Sequence, residues 1–270
     1  MRNIRFFVLV FCVLALASAC DEMPVEEVVF DANDIEFEEF STRRSTEFDK
    51  NLDISICLRL PKSNGNEMLD RIYADLVAYY TDNSKREIQS GIEIFADSIE
   101  AEYYALKEDI GADIANYICQ VVYYDSIWPV FADGKLLVYY DYVYNYEGGT
   151  QDYKDERYWV FNIETGKRIT EKDIFVMNDD NKKALSELIK NALAEEFYSE
   201  KKNIFAEGKT MMNSNFRIST DSLFYLYMPY EIDPFATDPL LIGLSKDDLK
   251  SYLKQDGPLY EYWYPEKKKK

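Results

Sequence analysis

The chain has 270 residues, 47% of them hydrophobic and 16% aromatic, which is enough apolar material for one large folded domain or two small ones. Its formal net charge of −19 repels nucleic acid and suits a cationic partner, although such a charge also serves solubility alone. Histidine is absent, which excludes a Ser-His-Asp triad and every histidine-containing zinc site. We therefore predict no cofactor and no metal ion.

The N-terminus predicts export from the cytoplasm. Arg2 and Arg5 precede the apolar run 6–16, which is too short to cross a bilayer permanently but has the length of a signal-peptide core. Residues 16–20, Leu-Ala-Ser-Ala-Cys, then resemble the bacterial lipobox, in which a cysteine after small residues is lipidated. We therefore predict a signal peptide over 1–19 and a lipidated Cys20. A plain secretory signal is the alternative.

The predicted location is the cell envelope, because several acyl chains on one cysteine would hold the protein firmly at a membrane surface. Asp21 and Glu22 resemble the acidic signal that sends some Bacteroidetes-type lipoproteins to the outer face of the outer membrane. We therefore expect a protein that is lipid-anchored in the outer membrane, either on its periplasmic side or exposed at the cell surface.

Composition and pattern divide the mature chain into a tether, two lobes and a tail. Residues 20–36 are acidic and lack apolar periodicity, so they predict a tether between the anchor and the folded part. Residues 37–132 predict an N-terminal α+β lobe, 133–256 a C-terminal α+β domain and 257–270 a tail. We expect an α+β fold with an antiparallel sheet, helices packed mainly on one face, and two lobes that meet near Ala132.

The N-terminal lobe combines strands with amphipathic helices. Alternating apolar residues predict strands near 35–40, over 54–60 and over 117–127. Apolar residues three or four apart predict a helix over 66–81, capped by Asn64, and a second helix that begins near Ser84. Cys57 and Cys119 fall in two of the strands. Outside the cytoplasm they can form a disulfide, and two buried thiols are an equal alternative.

The C-terminal domain begins with a tyrosine-rich strand. Asp133 and Gly134 predict a turn, and the pattern after them predicts a strand over 136–146. The elements predicted downstream are an antiparallel partner over 158–163, a turn at Thr165-Gly166, a capping box over 170–173, a helix over 180–200, strands over 216–218, 223–228 and 240–244, and a helix over 245–253.

Four tyrosines of the first strand, Tyr140, Tyr142, Tyr144 and Tyr146, are spaced two residues apart and share one face. A tyrosine combines an apolar ring with a polar hydroxyl group. Such a row therefore suits either a sheet surface that is partly exposed to solvent or a stacking platform for sugar rings. We treat the four as candidate ligand-binding residues, with the structural role as the alternative.

A series of short motifs occurs in order along the C-terminal domain. The motifs are Tyr-Glu-Gly-Gly at 146–149, Phe-Asn-Ile-Glu-Thr-Gly-Lys at 161–167, Asp-Ile-Phe at 173–175, Asn-Phe at 215–216 and Pro-Tyr-Glu-Ile-Asp-Pro-Phe-Ala at 229–236. In this order they resemble the RsiV-type domain. That family includes the external domain of lysozyme-sensing anti-sigma factors and a domain that precedes the catalytic part of PdaC-type peptidoglycan deacetylases.

The resemblance covers about 136–253, and the part from about 48 onward resembles the companion domain usually found upstream. The family commonly continues the double glycine with alanine and histidine, whereas this chain has Thr150-Gln151, so a role that rests on that histidine does not carry over. The resemblance implies a binding module of the cell envelope. It supplies no deacetylase domain and no cytoplasmic sigma-binding segment.

We therefore predict a non-catalytic envelope lipoprotein that binds either a cationic, lysozyme-like protein or a peptidoglycan-type glycan. One alternative is a glycan hydrolase that uses two carboxylates, which needs no histidine. Acidic residues are so abundant that the sequence distinguishes no such pair. A structural component of a surface assembly is the other alternative.

Overall fold

A computed structural model describes residues 29–30, 35–46, 51–81, 87–111, 120–148, 152–196, 211–232 and 238–265. The predicted signal peptide, Cys20 and most of the tether lie outside these ranges. The strands are β1 (Val29–Phe30), β2 (Phe37–Ser45), β3 (Leu52–Pro61), β4 (Val121–Ala132), β5 (Leu136–Tyr146), β6 (Tyr153–Asn162), β7 (Lys167–Arg168), β8 (Phe216–Ile218), β9 (Ser222–Tyr227) and β10 (Leu240–Ser245). The helices are α1 (Glu67–Thr81), α2 (Ile88–Ile110), α3 (Glu171–Ile174), α4 (Asp179–Glu196), α5 (Lys246–Leu249) and α6 (Pro258–Trp263).

Seven strands form one large sheet in the order β2-β3-β4-β5-β6-β7, with β1 paired to the C-terminal end of β4. The β3–β4 pair is parallel because α1 and α2 form the crossover between these strands. The pairs β2–β3, β4–β5, β5–β6 and β6–β7 are antiparallel. Strands β8, β9 and β10 form a second, antiparallel sheet. The predicted α+β fold is confirmed.

Helices α1 and α2 cover one face of the large sheet, which we call the helix face. Their apolar stripes bury Ile72, Leu76 and Ile92 against Ile56 and other strand residues. Helix α1 has the predicted bounds within one residue, but its cap differs from the prediction. The side chain of Asn66, and not that of Asn64, accepts a hydrogen bond from the backbone N–H of Met68 at 2.9 Å.

The other face of the large sheet, which we call the open face, is covered over part of its area by the second sheet and the C-terminal helices. Leu136, Val138 and Val160 of the large sheet form one core with residues of β8, β9, β10 and α4. The capping box predicted over 170–173 is confirmed, and Ser245 is the N-cap of α5. Asp173 accepts from the backbone N–H of Thr170 at 2.9 Å, and the backbone N–H of Asp248 donates to Ser245 Oγ at 3.2 Å.

The C-terminal tail predicted from residue 257 begins later than expected. Residues Pro258–Trp263 form α6, with Leu259 and Trp263 buried in the core of the open face. The indole N–H of Trp263 donates to the carbonyl oxygen of Ser219 at 3.0 Å. Gly257 and Pro258 start this helix, and its six residues are too few to show a clear apolar period in the sequence.

The predicted boundary between the lobes falls in the turn between β4 and β5. Asp133 organises this turn, because its carboxylate accepts from the backbone N–H of Leu136 at 2.9 Å. The two strands that the turn joins are hydrogen-bonded neighbours in one sheet. The two cores therefore lie on opposite faces of a shared sheet, and β5 contributes side chains to both.

Candidate functional site

The four predicted ligand-binding tyrosines lie on the open face of the large sheet. They occupy alternate positions of β5, and all four are half-buried. In the antiparallel register, Tyr140 lies opposite Trp128, Tyr142 opposite Ser126, Tyr144 opposite Tyr124 and Tyr146 opposite Val122. Aromatic side chains from two adjacent strands are therefore neighbours. We call Tyr124, Tyr142, Tyr144 and Tyr146 the tyrosine face.

Tyr140 differs from the other three tyrosines of β5. Its ring centroid lies 5.2 Å from that of Tyr158, which is buried, and it packs against the core of the open face. Burial raises the pKa of Tyr140 far above its ordinary value, and a hydrogen bond with Glu156 adds to the rise. The structure thus places Tyr140 at the border of the core, and Tyr142, Tyr144 and Tyr146 lie beyond it along the strand.

The centre of the tyrosine face is a pair of nearly parallel rings. The centroids of Tyr124 and Tyr144 are 6.0 Å apart, with an angle of 26° between the ring planes. The Tyr124 hydroxyl donates to Asp53 Oδ2 at 2.9 Å, which fixes the orientation of this ring. Because the two rings stack on each other, each has one remaining face on which a sugar ring or a planar cation can stack.

Carboxylates surround the tyrosine face. Burial raises the pKa of Tyr142, and the negative charge of Glu156 raises it further. Burial and then the charge of Asp152 have the same effect on the pKa of Tyr144. Together with Asp53, these carboxylates supply hydrogen-bond acceptors for hydroxyl groups and counter-charges for cations.

Two cationic side chains of the chain itself already lie over aromatic rings of this region. Lys154 Nζ is 5.8 Å from the ring centroid of Tyr144, and the guanidinium carbon of Arg59 is 6.0 Å from the ring of Trp128. Both distances fall within the range of cation–π interactions. The rings are therefore oriented so that their faces accept positive charge.

Tyr124 and Trp128 belong to this region, although sequence reasoning did not single them out. Tyr124, Ser126 and Trp128 alternate along β4, which is the available sequence signal, but only the pairing register places them beside the tyrosines of β5. The indole nitrogen of Trp128 is buried and has no hydrogen-bond partner among the described residues. A buried donor of this kind is a place where a ligand or a water can bind.

A second group missed in the sequence is an acid pair on the helix face. Asp125 of β4 is 4% exposed, and its Oδ2 accepts hydrogen bonds from the hydroxyls of Tyr80 and Tyr123, the latter at 3.2 Å. Asp141 of β5 lies diagonally across from it, because Asp125 pairs with Val143. The register thus brings Asp125 and Asp141 together, and Asp155 of β6 is a further diagonal neighbour of Asp141 that forms an ion pair with Arg157.

The motif at 229–236 contains a strongly exposed aromatic side chain. Tyr230 is 67% exposed and has a φ of 65°, a conformation that is uncommon for a residue other than glycine. Next to it, the carboxylate of Glu231 accepts from the backbone N–H of Met228 at 3.0 Å and from Asn213 Nδ2 at 3.2 Å. Residues 233–237 lie outside the described ranges.

The remaining predicted residues are only partly described. Cys57 is buried in β3, whereas Cys20, Cys119 and Thr150-Gln151 lie outside the described ranges, so the lipidation and the disulfide stay predictions. In the described part of the chain, no cluster of three or more Asp, Glu or Cys side chains is arranged to hold a metal ion. No helix in that part is long and apolar enough to cross a membrane.

Comparisons with known proteins agree with this fold. Residues 172–239 match a family described as "Protein of unknown function (DUF3298)". The fold is similar to the crystal structure of a DUF3298 family member from Bacteroides fragilis NCTC 9343, with a TM-score of 0.68, 19% identity, and coverage of 85% of this chain and 97% of that one.

A DUF3298 family protein from Pseudomonas aeruginosa PAO1 is also similar, with a TM-score of 0.57, 10% identity, and coverage of 82% of this chain and 95% of that one. At these identities the likeness shows the fold alone. No curated protein matches the chain.

Proposed function

We propose that this chain is a non-catalytic, lipid-anchored binding module of the cell envelope whose ligand is a cationic protein of the lysozyme type. The observation that carries the proposal is the tyrosine face, where aromatic rings are framed by carboxylates and Lys154 lies over the Tyr144 ring, with Arg59 over the ring of Trp128 nearby. The net charge of −19 adds long-range attraction for a basic partner. The motifs that resemble the RsiV-type domain support the same partner class.

The strength of such a contact can be bounded. A cation over a partly exposed ring contributes about 0.5–1 kcal/mol, and a central aromatic anchor of an interface contributes about 2 kcal/mol when its contacts are lost. Removing one ring of the tyrosine face should therefore weaken binding roughly five- to thirtyfold. Because the attraction is electrostatic, added salt should weaken it as well.

A peptidoglycan-type glycan is the second candidate, and the near-parallel Tyr124 and Tyr144 rings favour it. Sugar rings present apolar faces that stack on tyrosine, while their hydroxyls would donate to Asp53 or Glu156. A glycan carries little of the positive charge that the acidic surface attracts, so we place it second.

A carboxylate-based hydrolase is a weaker candidate. Its two acids must both reach the substrate, or a water beside it. Asp125 is 4% exposed and two tyrosine hydroxyls bind one of its oxygens, which argues against direct contact with a glycan. For this reason we favour a binding role over hydrolysis.

Calorimetric titration of the purified protein tests the proposal. Hen egg-white lysozyme and soluble peptidoglycan fragments serve as the two ligands, and the variants are Tyr144→Ala and Tyr144→Phe. Tyr104→Ala is the matched control, because Tyr104 is 45% exposed but lies on α2. We expect lysozyme to bind, Tyr144→Ala to weaken binding at least about fivefold, and Tyr144→Phe and Tyr104→Ala to leave it nearly unchanged.

Each other outcome has a definite meaning. Binding of the glycan fragments alone would replace the first candidate with the second. Binding of lysozyme that is lost in Tyr230→Ala and retained in Tyr144→Ala would move the contact to the exposed loop at 229–232. No binding of either ligand would contradict the proposed function.

The lipid anchor is tested separately. We expect metabolic labelling with a fatty acid to mark the protein, and Cys20→Ala to abolish both the label and the recovery in the membrane fraction. An unchanged mass and unchanged membrane recovery in Cys20→Ala would contradict the anchor. That result would leave the binding measurements as they stand.

A further inference from the structure

The acid pair, Asp125 and Asp141, is placed by the pairing of two adjacent strands. Asp125 lies opposite Val143 and Asp141 lies opposite Ile127, so both side chains are on the helix face and are diagonal neighbours. Diagonal neighbours in an antiparallel pair have Cβ atoms roughly 7 Å apart or less. Two carboxyl groups at this spacing can face each other.

One oxygen of Asp125 lacks a partner. Both tyrosine hydroxyls, from Tyr80 on α1 and from Tyr123 on β4, donate to Oδ2. Oδ1 is buried and has no hydrogen-bond partner among the described residues. If Asp125 were ionised, its buried charge would have hydrogen bonds at only one of the two oxygens, and this would destabilise the folded protein.

The cations near the acid pair are already engaged elsewhere. Arg157 of β6 forms an ion pair with Asp155, and Arg168 of β7 donates to Asp75 of α1 at 2.8 Å. The guanidinium of Arg168 also lies 4.3 Å from the ring centroid of Trp159. Neither arginine is therefore dedicated to the pair.

The titratable and charged groups near the pair, within the described residues, are mixed in sign. They comprise Asp75, Tyr79 and Tyr80 of α1, Tyr123 of β4, Asp155 and Arg157 of β6, and Arg168 of β7. Burial raises the pKa of Asp141 to about 8, with the charge of Asp125 adding to the rise and Arg157 opposing it. Burial raises the pKa of Asp125 to about 6, against the hydrogen bonds from Tyr80 and Tyr123.

We propose that Asp125 and Asp141 form a proton-binding site that holds one shared proton at neutral pH and, on losing it, loosens α1 from the large sheet. The proton lies between the two carboxyl groups and satisfies the oxygen of Asp125 that the tyrosines leave open. Its loss places two negative charges side by side under α1. The Tyr80 hydroxyl is the direct bond between that helix and the pair, so the repulsion acts where α1 is attached.

This site does not depend on the proposed function. It lies on the opposite face of the sheet from the tyrosine face, and its ligand is a proton. A pH-dependent attachment of α1 would make the N-terminal lobe respond to a rise of pH above neutral, whatever the partner of the protein is.

Infrared difference spectroscopy on the purified protein tests the proposal, because a protonated carboxyl group has its own C=O stretching band. We expect the wild-type protein to show this band at about pH 7 and to lose it by about pH 9. Asp141→Asn should lack the band at pH 7, since Asp125 then no longer shares a proton with a second acid. Asp97→Asn, at an exposed acid of α2 that pairs with Arg44, should retain it.

Hydrogen exchange of α1 supplies a second readout. After correction for intrinsic rates, exchange in residues 67–81 of the wild type should increase at least about fivefold from pH 6 to pH 9, and in Asp141→Asn it should stay constant. Absence of the carboxyl band at pH 7, or an unchanged band in Asp141→Asn, would overturn the proton site. Equal exchange in the two proteins at pH 9 would overturn its effect on α1.

Discussion

The two halves of β5 differ, although the strand is continuous. Residues 136–139 are buried on both faces, with Leu137, Val138 and Tyr139 at 0% exposure. From Tyr140 to Tyr146 every residue is half-buried. The first half is enclosed by the two cores, and the second half lies at their edge, where Tyr140 and Val143 still pack against them. It carries the tyrosine face on one side and Asp141 on the other.

The difference shows how one strand can serve both stability and recognition. Where both faces of a strand are covered, its residues must be apolar or fully hydrogen-bonded, so they contribute to folding. Where the covering layers end on the open face, rings remain partly accessible to a ligand, while on the helix face burial of Asp141 raises its pKa and makes it sensitive to pH. Substitutions in each half can separate these two roles experimentally.

The largest effect is expected in the enclosed half. Leu137→Ala leaves a cavity at a site with 0% exposure, and it should lower the free energy of unfolding by about 2–5 kcal/mol. Tyr144→Ala in the open half should lower it by less than about 1 kcal/mol. Denaturant unfolding of the two variants measures the contrast. Equal losses of unfolding free energy in the two variants would contradict the distinction between the two halves of β5.

The next effect concerns Asp141. Its pKa is about 8 in the folded protein, above the ordinary value of about 4 in the unfolded chain, so the folded form binds more protons. The stability from this group is complete below about pH 4 and is lost as the pH rises to about 8. Asp141→Asn should therefore raise the free energy of unfolding at pH 8, with little gain at pH 4.

The measurement is the difference between the unfolding curves of the wild type and Asp141→Asn at several pH values. Taking the difference cancels the other carboxylates, which both proteins share. If the variant is no more stable than the wild type at pH 8, the acid pair does not destabilise the folded protein at that pH.

A smaller effect is expected for ligand affinity. Tyr142→Ala should reduce lysozyme affinity by about 1 kcal/mol, because one ring with an acidic neighbour is lost from the tyrosine face. Tyr139→Phe is the matched control in the enclosed half of β5, since Tyr139 has 0% exposure and no access to a ligand. Competitive titration compares the two. A larger affinity loss in Tyr139→Phe would place recognition elsewhere.

The smallest expected effect is a gain in lysozyme affinity. Lys154→Met removes a cation that lies 5.8 Å from the Tyr144 ring and so occupies a position proposed for the partner. Lysozyme affinity should rise by a few tenths of a kcal/mol, roughly twofold, while stability changes by less than about 0.5 kcal/mol. Surface plasmon resonance at low salt resolves such a change. A twofold loss would mean that Lys154 contributes to binding instead of competing.

Much of the local structure follows from the sequence. The strand over 136–146 has the bounds that alternation predicts, and the capping box at Thr170 and Asp173 forms as expected. These features depend on residues close together in the chain, so pattern and capping chemistry are sufficient.

The site depends on contacts between residues that are distant in the chain. The sequence places four tyrosines on one face of β5, but Tyr124 and Trp128 join them only through the β4–β5 register. The same register brings Asp125 and Asp141 together, and a slip of one residue would move a whole strand to the other face. Strand pairing of this kind cannot be deduced from a single sequence.

The most direct test of the central claim is a hydrogen-exchange footprint of the protein with and without hen egg-white lysozyme. If the open half of β5 is the recognition surface, bound lysozyme should slow exchange in residues 140–146 and in the adjacent part of β4 near Tyr124, and leave 136–139 unchanged. Binding that leaves exchange in 140–146 unaltered would contradict the claim.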